Sequence, residues 1–190
     1  MEIAFFVIIG STVLIIIYGI IIYNNFVTLK HQIKKAWANI DVLLKQRHDE
    51  LTKLVETCQQ YMKYEQETLE KVIKARSEVY SARQNQDITG LGKAETNLRA
   101  GLGSLFALAE SYPELKANDS FLQLQNRISM LENSIADRRE LYNDSVNRNN
   151  TRIEQVPDSL IAGRYNFKPA TLLEFSEAEK ADINIKSMFS

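Results

Sequence analysis

Few residues in this sequence are of types that do chemistry, and their spacing limits what they can do. The single cysteine, Cys58, excludes an intramolecular disulfide and a cysteine zinc cage. His31 and His48 stand far apart and fit no metal-ligand spacing such as HExxH. No Gly-rich phosphate loop or nucleophile elbow is present. No catalytic residue, metal ligand or cofactor is therefore expected, and the chain reads as non-enzymatic.

The sharper question concerns Arg47 and Arg138, which fall on apolar seams at helical spacing. An arginine in a seam can hold a phosphate or another anion. It can equally pair with Glu65 or Glu132, or extend its guanidinium to water. Polar seam residues usually fix register, so Arg47, Glu65, Glu132 and Arg138 are expected to form a structural polar core. Glu65 is the better candidate for a specific pair, because burying a lone carboxylate is costly. Cys58 also lies in a seam, with nothing nearby in sequence to stabilise a thiolate, and is expected to be a buried structural thiol. The asparagines Asn24-Asn25 and those from Asn143 to Asn150 are read as solvated faces rather than ladders between protomers.

Stepping along the chain, Ile3 to Ile22 carries no charge. At about 1.5 Å per residue, such a run crosses the roughly 30 Å hydrocarbon core of a bilayer. Ser11 and Thr12 can bond back to helix carbonyls, and Tyr23 is placed for the interfacial aromatic belt. A cleaved signal peptide fits less well. Only Met1 and Glu2 precede the run, and Tyr23, Asn24 and Asn25 follow it where small residues would be cleaved. Residues 1–25 are thus expected to be a transmembrane anchor. Lys30, Lys34 and Lys35 follow it directly, as a topology anchor or as a binding site for membrane lipid head groups. By the positive-inside rule they place the N-terminus outside and the rest of the chain in the cytoplasm.

The 23 Lys and Arg nearly balance 24 Asp and Glu, which leaves no basic excess for nucleic acid. With seven Gly and three Pro, the chain has few helix breakers. From Phe26 to Ala82 neither occurs, and a four-three seam runs through Leu51, Leu54, Cys58, Val72, Ala75 and Val79. This predicts one long first helix. A turn is expected over Arg83–Gly92, a second helix over Lys93–Ser111 with Leu98, Leu102, Leu105 and Leu108 as its stripe, and a stop at Tyr112-Pro113. Asn118, Asp119 and Ser120 are N-cap types for a third helix reaching about Gln155. The fold class expected is all-α: a transmembrane helix, then a long antiparallel, coiled-coil-like bundle over 26–156 with three main soluble helices. Residues 157–190 are expected to dock as an extended tail, with a short helix at Glu174–Lys180.

These lengths do not match. The first helix would extend about 85 Å and the second about 30 Å. Its membrane-proximal part still presents Ile33, Trp37, Ile40 and Leu44, which either the tail or another protomer must cover. These four are therefore the candidate oligomer or partner surface.

The spaced set Tyr23-Asn24, Ala36-Trp37, Ile40-Asp41-Val42, Lys45 to Arg47, Leu51 and Leu54-Val55 resembles the opening of the bacterial LemA family. Tyr64-Glu65, Ala75-Arg76, Glu110, Tyr112-Pro113, Leu115-Lys116-Ala117, Phe121, Leu124-Gln125, Glu132-Asn133, Ile135-Ala136, Arg138 and Tyr142-Asn143 continue the likeness over nearly the whole chain. Two positions depart from it: Thr52-Lys53 stands where the family has Pro-Asn, and Asn149-Asn150 where it repeats Tyr-Asn. The resemblance implies a single-pass protein of the bacterial inner membrane and no particular reaction. The expected function is a membrane-anchored helical scaffold that forms a homo-oligomer or presents helices to envelope partners. Alternatives are an adaptor of a membrane protease, and an anionic-lipid-binding or membrane-shaping protein.

Overall fold

The computed structural model describes residues 1–174, and every regular element among them is a helix. They are α1 (Glu2–Tyr61), α2 (Gln66–Gln84), α3 (Ile88–Ala109), α4 (Pro113–Lys116), α5 (Asp119–Glu154) and α6 (Asp158–Tyr165). The apolar run and the first soluble helix are one helix, α1. Its apolar window is almost wholly exposed. An uncharged, mostly apolar run from Ile3 to Ile22 is not sustained against water, and lipid is the solvent that suits it.

The long first helix predicted to Ala82 is corrected. It breaks over Met62–Glu65 and the chain turns back as α2. His48 lies ring to ring with Tyr80 at 4.7 Å, and Arg83 Nε donates to Asp41 Oδ1 at 2.6 Å. As numbers rise along α2 they fall along α1, so the pair is an antiparallel hairpin. The seam hides this turn because its phase survives it: Cys58, Met62, Leu69 and Val72 are all buried. Four main helices therefore build the bundle, where three were expected.

Side-chain caps set the other boundaries. Asp87 accepts from the Gly90 N–H at 2.9 Å and starts α3. A Cβ at Gly90 would collide with that carboxylate, so glycine lets the cap seat. The turn expected to Gly92 thus ends at Asp87, and the following residues are helical. Pro113 occupies the first turn of α4, where its missing N–H costs nothing. The Asn118 side chain accepts from the Phe121 N–H at 3.0 Å and opens α5. The segment after Pro157, expected to be extended, forms α6 as far as Tyr165. Asn166 ends it in the left-handed region, φ 56°, which asparagine tolerates best after glycine. Glu174 has no regular structure, and the rest of the helix expected to Lys180 lies outside the described residues.

The chain forms two compact units. One comprises residues 1–39 and 140–172. Its core is Ile22, Phe26, Leu29 and Ala162, with Ile153, Ile161 and Phe167 packed against it. The other comprises residues 40–139 with Leu173 and Glu174 among the described residues. There Ile40, Leu44, Leu51, Leu54, Leu91, Leu98, Leu105 and Ile128 are nearly or fully buried. Each such side chain contributes about 1.5–3 kcal/mol on full burial.

Candidate functional site

In the second unit Arg47 enters the core from α1 and is 1% exposed. Its Nη1 donates to Glu132 Oε1 of α5 at 2.5 Å, and its Nη2 bonds to Glu95 of α3. Arg99 reaches the second Glu132 oxygen at 3.4 Å. Burial alone would favour the neutral guanidine. The two carboxylates outweigh it, and Arg47 is held protonated above its ordinary range. Both carboxylates engage its two Nη atoms, while its buried Nε has no hydrogen-bond partner among the described residues. The centre ties three helices together and fixes their register.

The structure brings together only part of the expected polar core. Arg47 and Glu132 meet. Glu65 stands apart at the α1–α2 turn, where it accepts from the Tyr112 hydroxyl at 3.3 Å. Arg138 is exposed, which corrects its seam position. The seam of α5 passes Ile135, Arg139 and Tyr142 instead, a four-three spacing as regular as the three-four one through Arg138. Glu95 was missed. It lies on a four-three line with Leu91, Leu98, Leu102 and Leu105, which shows once α3 is started at Ile88 rather than at Lys93.

Of the four residues expected to need cover from the tail or another protomer, Ile40 and Leu44 are 0% and 2% exposed within their own unit. Ile33 and Trp37 are half-buried in the first unit, where the Trp37 ring lies 6.0 Å from that of Tyr142. The stripe is therefore largely covered by the chain itself. In the first unit the cover comes from α5, which runs for 36 residues and brings Tyr142 to Trp37.

The late asparagines are not merely solvated. Asn149 Nδ2 donates to the Lys168 carbonyl at 3.3 Å. Asn150 donates to the Ala170 carbonyl and accepts from its N–H, both at 2.9 Å. The Tyr142 hydroxyl donates to the Thr171 carbonyl at 2.9 Å. These side chains satisfy backbone groups of an extended segment that has no ladder of its own.

Two recesses open on the second unit. One, of about 390 Å³, lies between α1 and α5 and is lined by Asp49, Glu50, Lys53, Arg127, Met130 and Ser134 among others. Glu50 is 7% exposed. Its Oε1 meets Arg127 at 3.3 Å and Lys53 at 3.5 Å, while its buried Oε2 has no hydrogen-bond partner in the described chain. The other, of about 530 Å³, is lined by Asp41, Lys45, His48, Tyr80 and Arg83. Burial and the nearby Arg76 guanidinium lower the His48 pKa, against the pull of Asp49. Cys58 is fully buried and its thiol is pushed up to about 12, which makes it a poor nucleophile. Among the described residues no group of three or more His, Cys, Asp or Glu is placed to hold a metal. Lys30, Lys34 and Lys35 are all exposed just beyond the apolar run.

Comparison with known proteins agrees with this architecture. The protein LemA of Metamycoplasma hominis is 26% identical over 165 residues, covering 87% of this chain and 74% of its own length. Two proteins of Paramagnetospirillum magneticum, the magnetosome proteins MamQ 1 and MamQ 2, are each 24% identical over 190 residues, covering 88% of this chain and 70% of theirs. The family model of LemA matches residues 36–187, most of the helical part. This membrane-associated helical protein belongs to the LemA family.

Proposed function

We propose that the protein is a non-enzymatic, membrane-anchored adaptor that presents the α1–α5 groove of its bundle to a helix of an envelope partner. A membrane protease is one class of partner. The observation that carries this reading is the open α1–α5 groove, where the Glu50 carboxylate meets Arg127 and Lys53 beside an exposed Met130. Charged groups flanking an apolar side chain match the two faces of a partner helix. The surroundings suit an amphipathic helix. Met130 is 60% exposed in the groove, and Val42, 55% exposed, stands on the α1 face that carries Gln46, Asp49 and Lys53. Coverage of Ile40 and Leu44 within the chain supports a hetero-partner over a homo-oligomer closed through the α1 stripe. The three lysines support a bundle on the cytoplasmic side of the inner membrane.

A photo-cross-linker placed at Met130 in the full-length chain tests this. The expected product is one heteromeric species of fixed stoichiometry, lost on Glu50→Lys while helicity stays intact. Adducts to lipid alone, or only to copies of the same chain, would sink the adaptor reading.

The second reading is a membrane-shaping protein. It is supported by exposed Lys30, Lys34 and Lys35 and by relatives named as magnetosome proteins. It requires the full-length protein to change the diameter of anionic vesicles, and replacement of the three lysines by Gln to weaken that change.

A further inference from the structure

In the first unit the chain descends along α1 and climbs back, and its lowest point lies within the apolar run. Phe167 stacks on Phe26 with ring centroids 4.9 Å apart, and Tyr165 lies 4.8 Å from Tyr23. Ile161 reaches further, since a Cβ at Gly19 would lie 3.8 Å from its Cδ1. Each contact steps about one helical turn closer to the N-terminus of α1. Gly19 sits three residues inside the end of the apolar run at Ile22, so α6 reaches about 4.5 Å past that end by helix rise. If the run occupies hydrocarbon, the residues around Ile161 lie at the boundary between acyl chains and head groups.

The outer face of this segment has the composition of such a place. Leu160, beside Ile161, is 71% exposed, Val156 is 81% exposed and Tyr165 is 58% exposed. Arg164 and Lys168 are exposed cations on the same short stretch. Ala162 faces inward and is 1% exposed, so α6 is anchored to α1 by one side only.

We propose that α6 and the residues flanking it form a second membrane contact: Leu160 and Val156 insert among acyl chains, Tyr165 joins Tyr23 in the aromatic belt, and Arg164 and Lys168 meet lipid phosphates. Interfacial segments of this kind bury an apolar face roughly 5–10 Å deep. A helix held only by one span is free to tilt and rotate. A lateral contact at the same depth fixes both, because α6 is packed on α1 through Ile161 and Ala162. The inference rests on the apolar run of α1 crossing the bilayer, and the test separates the two.

Cys58 is buried, so a cysteine introduced at an exposed position labels selectively in the folded full-length chain. Leu160→Cys, Ile17→Cys and Tyr64→Cys each receive an environment-sensitive dye in vesicles of phosphatidylcholine and phosphatidylglycerol at low protein content. Tyr64 is 93% exposed in the second unit and reports water. The dye at Leu160 is expected to be quenched by nitroxide on lipid acyl chains, with an iodide quenching constant about five-fold below that at Tyr64, as for a group lying in the interface. Iodide access at Leu160 equal to that at Tyr64, with Ile17 still quenched from the lipid, would overturn the α6 contact alone. Iodide access at Ile17 as well would overturn the span with it. Protection at Leu160 that grows with protein content would assign the face to a second copy and also overturn the proposal.

Discussion

Asn150 pairs with the peptide of Ala170 as one peptide pairs with another, its Nδ2 donating to the carbonyl and its Oδ1 accepting from the N–H, both at 2.9 Å. A single side chain thereby gives an extended segment the two bonds that a sheet partner would supply. Together with Asn149 and Tyr142 it holds residues 168–171 without any regular structure in that segment.

Replacing Asn150 by Leu removes both bonds and leaves the Ala170 groups without partners. The expected cost is about 1–3 kcal/mol. Hydrogen exchange at the Ala170 amide should accelerate by about ten-fold or more, since each 1.4 kcal/mol of lost protection is ten-fold. Unchanged exchange at Ala170 would show that Asn150 does not hold the segment.

The ion centre predicts an asymmetry. Arg47→Met strands Glu95, itself 3% exposed, and should cost about 3–5 kcal/mol. Combining Arg47→Met with Glu95→Leu and Glu132→Gln should recover most of that loss, because apolar groups of similar volume replace such centres at little cost. Denaturant unfolding of the full chain in detergent, followed by circular dichroism, measures both. A single variant as stable as the wild type would remove Arg47 from its place as the bundle's register pin.

His48 sets a pH dependence. Burial first, and then Arg76, lower its pKa below the ordinary 6.5. Above that value His48 is neutral both folded and unfolded and contributes no slope. As pH falls through 6.5, the unfolded chain takes up the proton that the folded one resists, so this group lowers stability with falling pH. His48→Gln should flatten the slope between pH 6.5 and the folded pKa. An identical slope in the variant would assign it to other groups.

Cys58, with its thiol pushed up to about 12 by burial, should carry only about one thiolate in 10⁴ at pH 8. An aromatic disulfide reagent is expected to leave it unlabelled in the folded protein and to label it fully in denaturant. Rapid labelling of the folded chain would mean that the α1–α2 hairpin opens there.

The parts of this fold legible in sequence were those governed by pattern and punctuation. The charge-free run, the break at Tyr112-Pro113 and the cap at Asn118 follow from residue type alone. The hairpin at Met62–Glu65 was not legible, because no glycine or proline marks it and the seam keeps its phase from Cys58 to Leu69. Arg47 was recognisable as a charged seam residue, yet its partner Glu95 lay at the start of the second helix, ahead of Leu98 where its apolar stripe was read to begin. Arg138 and Arg139 offer equally regular spacings, and only packing decides between them. The backbone clamp of Asn150 had no local signal, since its partner Ala170 is twenty residues away in a segment without periodicity.

The central claim is that the chain covers its own α1 stripe and leaves the α1–α5 groove for a different protein. The native mass of the full-length protein, extracted with its lipids and measured without its partners, tests it most directly. The account predicts one chain per particle. A defined multimer would contradict it, and dissociation of that multimer by Trp37→Glu would place the contact on the stripe that Tyr142 packs against.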